Sequence, residues 1–168
     1  LIVGAWLEDS NASGVNGNQD DNSAVDSGAA YVFTRSGTTW SQQAKVLGTT
    51  VTAENKFGAA IALDVDTLIV GASAANDAGT ASGAAYVFKR TGTSWAQEAK
   101  LLGADTAGGN NFGNSVSIHL DTAVIGAEQA GSSKGAAYVF KRSGTSWLQE
   151  AKLTAPAEGA ALGLPDSF

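Results

Sequence analysis

The hexapeptide GAAYVF occurs three times in this chain, at residues 28–33, 83–88 and 135–140. The copies begin at Gly28, Gly83 and Gly135, 55 and 52 residues apart. The second and third run on as GAAYVFKRTGTSWAQEAKLL and GAAYVFKRSGTSWLQEAKLT, which agree at 17 of 20 positions. Trp40, Trp95 and Trp147 keep the same phase. A second marker, FG, falls at Phe57-Gly58 and Phe112-Gly113, and a third, LIVGA or AVIGA, begins at Leu1, Leu68 and Ala123. Self-similarity at a period of about 50 residues marks a solenoid, propeller or array, in which each unit buries its apolar face only against a neighbour.

Each full unit divides into four short strands. The first follows FG (AAIALD, NSVSIH), and a tight turn, DVDT or HLDT, leads to the second (TLIVGA, TAVIGA). After a variable loop comes the third, GAAYVFKR, rich in β-branched and aromatic residues, and the turn TGT or SGT leads to the fourth, SWAQEAKLL. The second strand is apolar on both faces, as a strand sandwiched between neighbours should be. On the fourth, strict alternation would put Trp95, Gln97, Ala99 and Leu101 on one face and Ala96, Glu98, Lys100 and Leu102 on the other. Its charges suit an exposed outer edge. Ala59, Ala60 and Ala62 suit a first strand near a crowded axis. The expected fold is therefore all-β, with propeller blades of four antiparallel strands and about three blades in the chain. The expected organisation is one propeller segment over 1–168, with units near 1–56, 57–111 and 112–168. The pattern opens at a second strand, and Phe168 stands where another FG would begin. Three blades do not close a ring, so the other blades of a longer propeller, or other copies of the chain, are expected partners.

Composition narrows the function classes. Cysteine is absent, which excludes disulfides and thiolate metal sites. A net charge of −6 disfavours the phosphate backbone, so no nucleic-acid partner is expected. The longest apolar run is one strand long, and no membrane insertion is expected. The glycines fit no phosphate-binding loop or dinucleotide fingerprint. Carboxylate pairs such as Asp20-Asp21 and Asp64-Asp66 carry no sign of a shared cleft, and His119, in a tight turn, has no nucleophile beside it. An enzyme is not expected.

The FG marker, the VGA marker one hairpin later and GAAYVF together resemble the FG-GAP repeat, over the whole chain. That resemblance implies a propeller like the seven-bladed one of integrin α subunits, and the stretch from Glu8 to Ala44 resembles the bacterial extracellular branch. It implies an extracellular or cell-surface location and a binding or adhesion role, lectin-like in some fungal members. Calcium-binding members of the family carry a D-x-D-x-D-G loop between the first and second strands. Here that hairpin is only Asp64-Val65-Asp66-Thr67 or His119-Leu120-Asp121-Thr122, too few oxygens for calcium, so that site is not carried over.

In such propellers the 2–3 and 4–1 loops share one face and the 1–2 and 3–4 turns the other. The loops hold Glu8, Asp9, Asp20, Asp21, Asp26, Glu54, Asp77, Asp105, Glu128, Glu158 and Asp166 against Lys56 and Lys134. The 3–4 turns hold Arg35, Lys89, Arg90, Lys141 and Arg142. One face should be acidic and the other edged with base. The longest loop, residues 6–27, is dense in side-chain oxygen, and long loops in compact domains are commonly functional. Trp6, Asp9, Asn11, Asn16 and Asn18 are the candidate ligand residues, with Trp6 as a stacking platform for a sugar. Asp9, Asp20, Asp21 and Asp26 are candidate ligands of an optional calcium ion, although the spacing fits no EF-hand. No cofactor is required. Against these readings, Asp and Asn are good turn residues in any loop, and Trp6 equally serves as a staple. The sequence therefore supports two functions: a non-enzymatic surface module that binds a glycan or protein on its loop face, or a structural repeat segment without a ligand of its own.

Overall fold

The computed structural model describes residues 1–155. It contains eleven strands: β1 (Ile2–Ala5), β2 (Ala29–Ser36), β3 (Thr39–Val46), β4 (Phe57–Asp64), β5 (Thr67–Ala72), β6 (Ala84–Thr91), β7 (Ser94–Leu101), β8 (Phe112–His119), β9 (Thr122–Ala127), β10 (Ala136–Ser143) and β11 (Ser146–Thr154). They form three antiparallel meanders, β1-β2-β3, β4-β5-β6-β7 and β8-β9-β10-β11, as expected for propeller-like blades. Ala130–Ser133 makes one helix-like hydrogen bond, Ser133 N–H to Gln129 O (3.2 Å), but Gly131 and Ser132 are at φ +61°, so it is a left-handed turn and not a helix. The acids Glu158 and Asp166, and Phe168, lie outside the described residues.

The repeated letters are the ones that join blade to blade. At the first junction Gly4, from the VGA marker, packs on Gly58, from the FG marker. A Cβ on Gly4 would lie 2.0 Å from the Gly58 carbonyl oxygen, and Gly58 itself sits at φ +93°. At the second junction a Cβ on Gly71 would lie 1.9 Å from the Gly113 carbonyl oxygen. No side chain fits at either place. The phenylalanine of each FG marker fills the core. Phe57 meets Tyr86 edge-on at 5.4 Å and Phe88 at 6.1 Å; Phe112 meets Tyr138 at 5.2 Å and Phe140 at 6.1 Å. Two apolar clusters result, one between the first and second blades and one between the second and third. β5, between both, is buried along its whole length.

The fourth strands do not alternate strictly. In each blade the pairing between the third and fourth strands slips by one residue, leaving Gln43, Glu98 and Glu150 as the extra residue of a β-bulge. Beyond the bulge the faces exchange. Trp95, Gln97 and Lys100 contact the first blade, whereas Ala99 and Leu101 pack into the cluster shared with the third. The extra residue is used: Trp95 Nε1 donates to Gln43 Oε1 (3.0 Å), and Trp147 Nε1 donates to Glu98 Oε1 (2.8 Å). The bulges of the first two blades thus turn a polar group toward the tryptophan of the following blade.

Candidate functional site

Main-chain hydrogen bonds define two faces. On one, the loop before each FG marker is tied to the 2–3 loop of the preceding blade: Lys56 N–H donates to Asp26 O (3.1 Å) and Phe57 N–H to Ser27 O (2.9 Å). Asn111 to Ala81 (3.1 Å) and Phe112 to Ser82 (3.0 Å) repeat the pattern. On the other, the turns are joined: Arg90 N–H donates to Asp66 O, and Arg142 N–H to Asp121 O, both at 2.8 Å. That second face is not simply basic. Arg90 pairs with Asp66 (2.6 Å) and Arg142 with Asp121 (2.7 Å), so acids within the 1–2 turns offset the arginines. His119 is exposed there, with Nδ1 3.9 Å from Asp64.

The long loop spends its oxygens largely on its own backbone. Asp9 accepts the Asp26 N–H (2.9 Å), Asn18 accepts the Asp20 N–H (3.0 Å), and Asp21 accepts the Ser23 N–H (2.9 Å). The hydrogen bonds from Ser23, side chain first, hold the Asp21 carboxyl below its ordinary pKa. Ser27, fully buried, donates to Ser10 O (2.8 Å) and pins the base of the loop. Asp9, Asp20, Asp21 and Asp26 are not gathered into one cage: among the described residues no three His, Cys, Asp or Glu side chains are placed to share a metal ion.

The five candidate ligand residues do not converge either. Asn16 lies against the outer strand of its blade, exchanging hydrogen bonds with Lys45 through its N–H (2.8 Å) and its Oδ1 (3.0 Å), while Gly14 O accepts from Leu47 N–H (2.7 Å). Residues 14–16 thus run along the edge of β3, with Val15 bridged to Val46. This explains why Lys45, expected at an exposed edge, is 1% exposed and paired with Glu8 (2.5 Å). Burial, and then Glu8, raise the pKa of the adjacent Tyr31. Trp6 follows the innermost strand of the same blade and is half exposed, with Lys56 Nζ 5.4 Å above its ring. Asn11 and Asn18 are exposed.

A cleft does open on the loop face, but at the junction of the first two blades. It has a volume of about 370 Å³ and is lined by Asp26, Glu54, Lys56, Asn76 and Thr80 together with two alanines. Of these, only Asp26 was a candidate from the sequence. The signal for the others was a departure from the repeat: TAENKFG before the first FG stands against TAGGNNFG before the second. Asp26, Glu54 and Lys56 adopt left-handed backbone (φ +53°, +63° and +55°), as do their counterparts Ala81, Gly109 and Asn111.

The second junction carries a different polar set. Tyr138 donates to Asp105 (2.9 Å), and Lys152 pairs with the same carboxylate (2.5 Å). Lys152, then Tyr138, hold Asp105 below its ordinary pKa; burial, then Asp105, raise Tyr138; and Asp105 raises Lys152.

No helix among the described residues is long and apolar enough to cross a membrane. A family model described as FG-GAP repeat matches residues 40–88 and 95–140, more than half of the chain. Comparison with curated proteins gave no match. The chain belongs to the FG-GAP repeat family, whose repeats build propeller-type modules, often extracellular and generally non-enzymatic.

Proposed function

We propose that this FG-GAP repeat chain is a non-enzymatic binding or adhesion module of an extracellular or cell-surface protein, with a glycan or protein ligand on the face made by the 2–3 and 4–1 loops. One observation carries the reading. Elsewhere on the loop face Glu8, Asp77 and Asp105 are paired with Lys45, Lys100 and Lys152, whereas Asp26, Glu54 and Lys56 share a cleft and make no ion pair with any described residue. Charged side chains left unpaired around a concave surface favour a partner that completes them.

The test is a glycan array and a surface-protein panel, probed with the chain with and without calcium. Binding is expected to survive Arg35→Ala on the turn face and to fall about tenfold or more in Lys56→Ala on the loop face, the scale of one lost charge-assisted contact. Binding that depends on calcium would make the metal a structural partner of the loop. Silence on both panels would overturn the reading in favour of the second one, a structural segment of a larger propeller. That second reading is favoured by one feature, the repetition of the same junction contacts from blade to blade.

A further inference from the structure

We propose that the cleft between the first and second blades binds a small zwitterion of the α-amino-acid type, its ammonium on Asp26 and Glu54 and its carboxylate on Lys56 and the Asn76 amide. The proposal rests on the loop face being the binding face and names the ligand chemistry of one site on it.

The argument begins from the repeat. Both junctions have the same backbone at this place, down to the left-handed residues and the paired hydrogen bonds. At the second junction the three equivalent positions are Ala81, Gly109 and Asn111, and the Asn111 amide is already satisfied by Glu128 Oε1 (3.1 Å). At the first junction the residue in the place of Glu128 is Ser73, so no carboxylate answers Lys56. Its ammonium rests instead over the Trp6 ring. Glycine, asparagine and aspartate suit a left-handed backbone, and glutamate and lysine do not. At Glu54 and Lys56 charge has therefore been placed where the backbone tolerates it poorly, and with Asp26 it has been left without an ion pair among the described residues.

The set of groups selects the ligand. A simple cation would satisfy the two carboxylates and repel Lys56. A simple anion would pair with Lys56 and face two carboxylates. A ligand carrying both signs meets each charge with its opposite. An ammonium has three N–H donors, which the carboxylates of Asp26 and Glu54 and the hydroxyl of Thr80 can accept. A carboxylate accepts from the Lys56 ammonium and from the Asn76 amide nitrogen; the Asn76 oxygen is already taken by the Ala81 N–H (2.9 Å). At about 370 Å³ the cleft is at the small end of ligand sites and has room for one amino acid with water.

The test titrates the whole chain with L-alanine, isopropylamine and propionate at low salt, followed by amide chemical shifts in residues 54–56 and 76–81. L-alanine is expected to bind about tenfold or more tightly than either single-charge probe. Asp26→Asn with Glu54→Gln should reduce L-alanine to the level of propionate, and Lys56→Gln should reduce it to the level of isopropylamine. Asparagine is tolerated in a left-handed backbone and Glu54→Gln keeps the size and shape of the side chain already there, so the first exchange keeps the fold. Equal response to all three probes, no saturable response, or a preference that survives both variants overturns the proposal. If array or panel binding is lost in Lys56→Ala while L-alanine shows no preference, the module reading stands and the zwitterion assignment falls. If neither is seen, both fall.

Discussion

The second and third blades contain nearly the same third strand, AAYVFKRT in β6 and AAYVFKRS in β10, yet β6 is buried from Ala84 to Phe88 while Val139 and both alanines of β10 are partly open. The second strands differ in the same way: β5 is buried throughout, and Val124 of β9 is 37% exposed. The difference arises from the neighbours. β5 and β6 are covered on both faces, and the outward face of the third blade has no cover among the described residues. Identical letters thus acquire different burial from what stands beside them, and a strand buried on both faces must be apolar on both even where one copy leaves a face open.

The two junctions are the places to break that comparison. The largest effect is expected from the FG phenylalanines. Phe57→Ala and Phe112→Ala should each cost about 3–5 kcal/mol in urea unfolding, because each ring is fully buried between two aromatic partners. A loss below about 1 kcal/mol at one of them would mean that its junction is not packed as described.

The tryptophan bonds should separate the junctions by charge. Trp147 donates to a carboxylate, Glu98, which also lies 3.6 Å from Arg142, whereas Trp95 donates to the neutral amide of Gln43. Replacement by phenylalanine removes the donor and keeps most of the ring. Trp147→Phe should cost about 2 kcal/mol and Trp95→Phe about 1 kcal/mol. Equal losses would show that the Glu98 charge adds nothing.

The smallest effect is a pH dependence at the second junction. The folded pKa of Asp105 is lowered, so its contribution to stability is present above the ordinary value of 3.8 and is lost as pH falls through the lower, folded value. The folded pKa of Lys152 is raised, so its contribution is present below the ordinary value of 10.5 and disappears as pH rises through the higher, folded value. Thr50 holds the place of Asp105 at the first junction and does not titrate. Asp105→Thr should therefore flatten the acid limb of a stability profile, and an unchanged limb would assign the acid sensitivity elsewhere. Asp105 is exposed and Lys152 partly so, and the effect should also shrink in salt.

The fold was legible because the repeat spells out its own contacts. FG, VGA and GAAYVF mark where a Cβ does not fit and where a ring must, and such demands recur unchanged in each blade. The site was much less legible. Residues 6–27 stand out in length and oxygen content, but Asn18 and Asp21 serve local turns, Asp9 ties the two ends of the loop through Asp26 N–H, and Asn16 serves the edge of β3. Turn chemistry and ligand chemistry use the same residue types, and composition does not separate them. The bulge at Glu98 was equally hidden, since an extra residue in a ladder appears only once the partner strand is known. Glu54 and Lys56 could have been found by asking where the units disagree, because a departure from a repeat that otherwise holds marks a position released from structural duty.

The central claim is that the blades stack in chain order and that each takes its burial from its neighbours. Amide hydrogen exchange compared between β6 and β10 tests it directly, since the two strands match in sequence and in hydrogen-bond pattern. Protection about tenfold or more greater at Val87 than at Val139 is the expected result, because the doubly covered strand opens only with its neighbours. Equal protection at the two valines would contradict the stacking.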